Sequence, residues 1–219
     1  SMSGLDFLFR WIHLLGGITW IGLLYYFNFV QTEYFKEADP AHRSGAIQKL
    51  VPRALWWFRW GAMLTFLTGV ALLAYRHTGL TYAITIGSVL GTLMFLNVWL
   101  IIWPNQKIVI ASANAVAEGN DALPEAAVAA PKAALASRTN TLFSAPMLFM
   151  MFASGHLSLG SNTMLAAASG ASIAAVLLII ILLEINAIFG KQGPLTSVSG
   201  VIHCSLGLTA VFYLLMALL

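Results

Sequence analysis

The 219-residue chain is 59% hydrophobic and only 9% charged, with a mean hydropathy of +0.84 and a formal net charge of +3. A soluble domain carries roughly a quarter charged residues and a domain of this size exposes much of its surface, so this surface must face lipid. The modest positive charge is not gathered in a stripe, which excludes nucleic acid as an expected partner.

Six stretches are apolar and long enough to form membrane-spanning helices, which need about 20 residues each. In chain order they are roughly 5–30, 54–76, 81–103, 139–157, 163–189 and 196–219. The fourth is short, and its boundaries are the least defined. The sequence therefore predicts an all-α integral membrane protein, with residues 1–219 forming a single transmembrane domain built as a bundle of about six helices.

Two longer polar connections interrupt the predicted bundle, 31–53 and 104–138. The second contains an alanine-rich piece, 124–137, which predicts a short surface helix. Proline removes a backbone donor, so we expect that helix to break near Pro131.

The distribution of lysine and arginine predicts the orientation in the membrane. With six spans, nine basic residues lie on the side of the two polar connections, and only Arg10 and Arg76 lie on the other. We therefore expect 31–53 and 104–138 to be cytoplasmic loops and both termini to be periplasmic, in a bacterial inner membrane. Four tryptophans would then lie at the cytoplasmic interface: Trp56, Trp57, Trp60 and Trp103.

Four of the five histidines lie in or at the end of a predicted span: His13, His77, His156 and His203. An ionisable group at membrane depth is costly and is a functional hypothesis by default, and imidazole is the usual axial ligand of b-type haem. All four are candidate ligands of haem iron, in one or two haems b. Gly16 and Gly17, one turn beyond His13, would let the flat macrocycle approach the backbone. Glycine-rich faces also serve helix packing, and a histidine at a helix end also snorkels or caps.

Glu184 is the only acidic residue well inside a predicted span. The short turn 190–195 reverses the chain and places Glu184 within about a turn of the depth of His203. Glu184 is the candidate catalytic residue, because its carboxyl can carry a proton or orient a ligand. The alternative is a protonated carboxyl hydrogen-bonded for structure.

The run 97–107, NVWLIIWPNQK, ends the third span, and 137–141, SRTNT, enters the fourth on the same side. Amides, hydroxyls and a guanidinium suit a polar, anionic heterocycle, and they equally cap and anchor helix ends. The candidate substrate-binding residues on this side are Asn105, Gln106, Lys107, Arg138 and Asn140.

Three segments carry a family resemblance: 13–28 (HLLGGITWIGLLYYFN), 97–110 (NVWLIIWPNQKIVI) and 137–151 (SRTNTLFSAPMLFMM). Together they resemble the membrane domain of the bacterial membrane-bound, cytochrome c-dependent urate hydroxylase family, the urate oxidase N-terminal domain. The first segment also resembles the first span of the membrane protoporphyrinogen oxidases, a histidine-bearing haem family.

The resemblance implies an integral membrane oxidoreductase that hydroxylates urate and passes electrons to a cytochrome c. In that family a c-type domain follows the membrane domain on the periplasmic side. Cys204 is the only cysteine here, so these 219 residues hold no C-x-x-C-H haem motif. We therefore expect a shortened form that uses a separate periplasmic cytochrome c or a respiratory complex.

The preferred hypothesis is a haem b membrane oxidoreductase that passes electrons from urate or a similar small substrate to that acceptor, with Glu184 handling protons. One alternative is a non-catalytic haem b electron-transfer subunit between a quinol and a respiratory complex. Another is a haem-free transporter or channel for a purine-like anion. An absorption spectrum separates the haem proteins from the transporter.

Overall fold

The computed structural model describes residues 3–76, 78–157 and 164–219. Seven helices account for most of these residues. In chain order they are α1 Gly4–Glu37, α2 Pro40–Lys49, α3 Val51–Ala74, α4 Tyr82–Ala117, α5 Ala126–His156, α6 Gly170–Phe189 and α7 Val198–Leu218. Short 3₁₀ turns precede α6 and α7, at Leu165–Ala167 and Gly193–Thr196.

Five of these helices are long and apolar enough to cross a bilayer: α1, α3, α4, α6 and α7. They confirm five of the six predicted spans and a multi-pass membrane protein. Large side chains on their outer surface, such as Ile18 and Phe189, are exposed, as lipid-facing residues are. The fourth predicted span, 139–157, corresponds to the second half of α5, a helix of 31 residues that is not among the apolar five.

The two predicted polar connections are largely helical. The helix expected over 124–137 is present from Ala126 onward, whereas the helical structure of the other parts of the connections was not expected. α1 extends to Glu37 and α2 fills most of the rest of 31–53, while α4 and α5 turn 104–138 into a helical hairpin. Alanine and the long charged residues of these segments favour helix without being lipid-facing. The fall in hydropathy therefore marks the end of the apolar surface and not the end of the helix.

Two prolines lie inside α5 without ending it, Pro131 and Pro146. The expected break near Pro131 is therefore wrong. Proline removes one backbone hydrogen bond at this position, but the helix continues. Pro146 has no N–H for the carbonyl of Leu142, four residues earlier. Ser205 of α7 donates its hydroxyl to that carbonyl at 2.8 Å, so the freed acceptor is satisfied inside the bundle.

α5 packs against four of the other helices. Its residues 138–144 are all buried, around the whole circumference, and it contacts α1, α4, α6 and α7. A helix screened by protein need not be apolar, because its neighbours present the apolar surface to lipid. This screening explains why the fourth predicted span is the least hydrophobic.

Contacts between helix ends define one end of the bundle, which we call the terminal end. They join Phe9 with Tyr75, Thr81 with Ser154, Tyr82 with Ser172, and Ser172 with the carbonyl of Leu215. The start of α1 and the end of α7 therefore lie at the same end, and the opposite one is the loop end. The periplasmic location of the terminal end stays a prediction.

Glycines set the spacing between α1 and α3. A Cβ on Gly16 would lie 2.8 Å from Oγ1 of Thr65, and a Cβ on Gly61 would lie 3.2 Å from the backbone nitrogen of Trp20. Such distances are shorter than ordinary Cβ contacts. The two backbones approach this closely because both positions lack a side chain, as in small-xxx-small membrane helix pairs.

We expect Gly16→Ala to destabilise the protein, because overpacking of this kind costs about 1–3 kcal/mol. Gly17→Ala is the matched control, since nothing lies within 4 Å of a Cβ built there and alanine favours a helix by about 1 kcal/mol over glycine. Thermal unfolding in detergent measures both variants. Equal unfolding midpoints for Gly16→Ala and Gly17→Ala would contradict the close packing of α1 on α3.

Candidate functional site

His13 is half-buried between α1 and α3, and its ring is held in one orientation. Nδ1 lies 2.9 Å from the carbonyl oxygen of Thr65 and 3.0 Å from Oγ1 of Thr68. A carbonyl can only accept, so Nδ1 carries the hydrogen and donates it. The lone pair of Nε2 is then free to bind a metal or accept a proton.

The glycine that lies against this ring is Gly69 of α3 and not Gly16 or Gly17, the two that the sequence suggested. A Cβ on Gly69 would lie 3.2 Å from Cε1 of His13, so the imidazole rests directly against α3. Gly16 faces Thr65 and takes part in helix packing, whereas Gly17 faces open space. Of the two glycines predicted to make room for a macrocycle, Gly17 is the one whose side is open.

His156 and His203 are more exposed than His13. His156 ends α5 at the terminal end, and its ring stacks on the phenyl ring one turn earlier with centroids 4.3 Å apart. His203 lies on an exposed face of α7 towards the loop end, and its Nδ1 donates to the carbonyl of Ser199 at 2.7 Å. His77 lies outside the described residues.

A cleft of about 760 Å³ opens at the terminal end between α1, α3, α4 and α5. Its lining includes Asp6, Arg10, Tyr75, Arg76, Ser154 and His156. Arg10 pairs with Asp6 at 2.8 Å, and Arg76 donates Nε–H to the carbonyl of Gly79 at 3.2 Å. Each guanidinium has five N–H donors, so both retain donors for an acidic ligand beside His156.

A buried hydrogen-bonded chain crosses the bundle towards the loop end. Nδ2 of Asn97 donates to Oδ1 of Asn140 at 3.0 Å and to Oε2 of Glu184 at 3.1 Å. Asn140, with no exposed surface, donates in turn to the carbonyl of Met94 at 3.0 Å. The chain fixes the orientation of both amides and ties the half-buried carboxyl of Glu184 to the centre of the bundle.

A second buried amide lies at a similar level. Nδ2 of Asn28 donates to Oγ of Ser137 at 2.8 Å and to the carbonyl of Leu24 at 2.9 Å. Asn28 lies in the π-helical segment Tyr26–Gln31 of α1, and Asn97 directly precedes the π-helical segment of α4. Single π-helical turns occur frequently at functional sites. We call Asn28, Asn97, Ser137, Arg138, Asn140 and Glu184 the polar layer.

Arg138 is the only basic residue of the six in the polar layer, and it is buried. Its side chain is 4% exposed, and Nη1 has no hydrogen-bond partner in the part of the chain that the structure describes. Glu33 pairs with Lys36 at 2.7 Å, and none of the salt bridges among the described residues includes Arg138. A buried charge without a partner is strongly unfavourable, so this position is suited to an anionic ligand.

The structure divides the predicted substrate-binding residues into two groups. Asn140 and Arg138 are both buried on α5, and Asn140 is hydrogen-bonded to Asn97 of the polar layer. Asn105 and Gln106 are half-buried further along α4, and Nδ2 of Asn105 donates to the carbonyl of its own helix at Ile101. Lys107 is exposed and lies apart from the polar layer.

Several residues of these sites were not identified from the sequence. Thr65, Thr68 and Gly69 orient His13 from α3, and Asn28 joins the polar layer from α1. The spacing of Gly61, Thr65 and Gly69 by four residues is a signal of a small-residue helix face that could have found two of them. The partner of Asn28 depends on the packing of α1 on α5, which no local pattern encodes.

The chain matches a known protein family. A family model described as urate oxidase N-terminal matches residues 75–213, more than half of the chain. The match contains the segments 97–110 and 137–151 and confirms the family resemblance, whereas 13–28, with His13, precedes it. No curated protein and no solved structure is significantly similar to the chain.

We expect Asn140→Ala to lower the unfolding midpoint, because it leaves Asn97 without one acceptor and the carbonyl of Met94 without its side-chain donor. A buried polar group left unsatisfied costs about 1–3 kcal/mol. Asn114→Ala, at an exposed position of α4, is the control and should change stability by no more than about 0.5 kcal/mol. Thermal unfolding distinguishes them, and an unchanged midpoint for Asn140→Ala would argue against a structural chain.

Proposed function

Since the chain belongs to the family of the urate oxidase N-terminal domain, we propose that it is a haem b membrane oxidoreductase acting on urate or a similar small substrate. Electrons would pass to a separate periplasmic cytochrome c or a respiratory complex. The observation that carries the proposal is Nη1 of Arg138, a buried donor near the middle of the family-matched segment that has no hydrogen-bond partner among the described residues.

The surroundings of His13 fit a histidine that binds haem iron. An iron- or zinc-bound histidine almost always donates its other ring N–H to a carbonyl, a carboxylate or water. Nδ1 of His13 has such a partner in the carbonyl of Thr65, which leaves Nε2 for the metal. His156 is the proposed second ligand, because it lines the cleft at the same end of the bundle, and His77 is the alternative.

Charged residues of the same cleft would hold the carboxylates of the macrocycle. Arg10 and Arg76 are placed to donate to propionate groups, because guanidinium–carboxylate pairs form strong, directional hydrogen bonds. Haem, when bound, accepts and releases single electrons, while the protein sets its position and surroundings. If a second haem is present, His203 is its proposed ligand.

The polar layer is the proposed substrate site. A guanidinium and carboxamides present planar sets of donors and acceptors that match a planar anionic heterocycle such as urate. Arg138 would pair with the negative charge, and Asn140 would orient the ring. Asn105 and Gln106 extend the same set along α4 towards the loop end.

Glu184 is the proposed general base. Hydroxylation of urate by water releases a pair of electrons and a pair of protons, so the site needs a proton acceptor. Asn97 donates to Oε2 of Glu184, which holds the carboxyl in place and leaves Oε1 to take a proton from the attacking water. The protons and electrons would then leave by different routes, since His13 lies fifteen residues before Asn28, about 22 Å along α1.

The terminal end is proposed to face the periplasm of a bacterial cell. The loop end carries most of the basic residues, and such residues are retained on the cytoplasmic side. Electrons reaching the haem near the terminal end would then be close to a soluble periplasmic acceptor.

The buried charge of Arg138 favours one other function, haem-free transport of a purine-like anion. Both functions need an anion site, but only the oxidoreductase and the alternative electron-transfer subunit need haem. A Soret band separates the haem proteins from the transporter, and reduction of the haem by urate separates the enzyme from the subunit.

We expect His13→Ala to lose most of the bound haem, because it removes the iron ligand. Thr68→Val removes only the hydroxyl that lies 3.0 Å from Nδ1 and should weaken haem affinity by no more than about 10–100-fold. His42→Ala, at an exposed position of α2, is the control. The absorption spectrum and the haem-to-protein ratio measure all three, and full occupancy in His13→Ala would refute the ligand assignment.

We expect Arg138→Met to weaken urate binding at least about tenfold, because it removes a charge-assisted hydrogen bond. The same change should leave the substrate-free protein equally stable or more stable, since it removes an unpaired buried charge. Lys132→Met, at an exposed position of α5, is the control. Titration calorimetry with urate and thermal unfolding give the two readouts. Unchanged affinity would exclude Arg138 from the site.

A further inference from the structure

Two cations lie against one indole ring between α3 and α4. The guanidinium carbon of Arg59 is 3.8 Å from the ring centroid of Trp103, and Nζ of Lys107 is 5.5 Å from it. Among the residues that the structure describes, neither cation forms a salt bridge with a carboxylate. Two cations gathered at one ring repel each other, and an anion bound near both would offset that repulsion.

Unsatisfied donors occupy the same groove. Nη1 of Arg59 and Nε1 of Trp99 are both buried, and neither has a hydrogen-bond partner within residues 3–76, 78–157 and 164–219. Trp60, next to Arg59 in the chain, contacts Trp99 with ring centroids 5.1 Å apart, so the two donors belong to one cluster. Buried donors without an acceptor are costly, and a ligand with several acceptor oxygens would satisfy both.

Neighbouring tryptophans place this groove at the headgroup level of a bilayer. Trp56, Trp57 and Trp60 are exposed and lie near the loop-end part of α3. Tryptophan is enriched at the membrane–water interface, where its ring meets both hydrocarbon and headgroups. Arg59 and Lys107 therefore lie where lipid phosphates lie.

We propose that Arg59, Trp99, Trp103 and Lys107 form a binding site for the phosphate of an anionic phospholipid. The guanidinium and the indole N–H donate to phosphate oxygens, and Lys107 supplies a second positive charge. Basic pockets between membrane helices bind acidic headgroups in this manner. The acyl chains then lie along the exposed apolar surface of α3.

This site is separate from the polar layer. Lys107 is exposed and Arg59 is half-buried at the lipid-facing side, whereas Arg138 is enclosed at the centre of the bundle. A water-soluble substrate would not need the surrounding exposed tryptophans. The lipid proposal therefore does not depend on haem or urate, and its test is independent of theirs.

The test uses the purified full chain in detergent, titrated with phosphatidylglycerol, with phosphatidylcholine of the same acyl chains, and with inorganic phosphate. Native mass spectrometry counts bound lipid, and thermal unfolding measures stabilisation. We expect phosphatidylglycerol to bind at least about tenfold more tightly than phosphatidylcholine, because each nearby cation contributes to anionic lipid binding. Inorganic phosphate alone should give little stabilisation.

Substitutions locate the site. Arg59→Gln and Lys107→Gln should each reduce the preference for phosphatidylglycerol about fivefold. Arg53→Gln, an exposed arginine of the same helix α3, carries the same charge change and should leave the preference unaltered. If Arg59→Gln does not fold, Lys107→Gln decides, because Lys107 is exposed.

Three results would overturn the proposal. Equal binding of the two lipids would remove the anionic site. An equal loss in Arg53→Gln would mean that general surface charge attracts the lipid. Full stabilisation by inorganic phosphate would identify a site for a soluble anion.

Discussion

Polar groups of α5 can lie at membrane depth only because the surrounding helices screen them from lipid. Residues 138–144 are buried around the whole helix, and α1, α4, α6 and α7 supply its neighbours. Within that ring every polar group needs a partner, since neither lipid nor water supplies one. Ser205 shows the consequence: it donates to the carbonyl of Leu142 that Pro146 leaves free.

The polar groups that lack a partner inside the bundle are the ones on which the proposed chemistry depends. Asn97 and Asn140 satisfy each other, but Nη1 of Arg138 finds no partner in the described part of the chain. His13 is held through Nδ1 while its other nitrogen remains free for a ligand. Stability alone would favour an apolar residue at the position of Arg138, and for this reason the proposed function assigns its guanidinium to a ligand.

The sequence predicted the apolar helices well and the polar ones poorly. Lipid-facing spans such as Gly170–Phe189 are recognisable in the sequence, because every face that meets lipid must be apolar. α5 is not, because its residues 138–144 are enclosed by protein. Pro131 predicts a break from its residue type alone, yet the helix continues through it. The residue types of the site were recognisable, yet the pairing of Asn97 with Glu184 and of Asn28 with Ser137 depends on tertiary contacts. The sequence also did not predict that Lys107 lies outside the polar layer, because a π-helical segment lies between Lys107 and Asn97.

The central claim is that this membrane bundle couples an anionic substrate in the polar layer to haem near the terminal end. The most direct measurement is the absorption spectrum of the purified wild-type protein, recorded without oxygen before and after urate is added. The account predicts a Soret band in the starting protein and the appearance of reduced α and β bands with urate. A folded protein without a Soret band, or a haem that no urate concentration reduces, would contradict it.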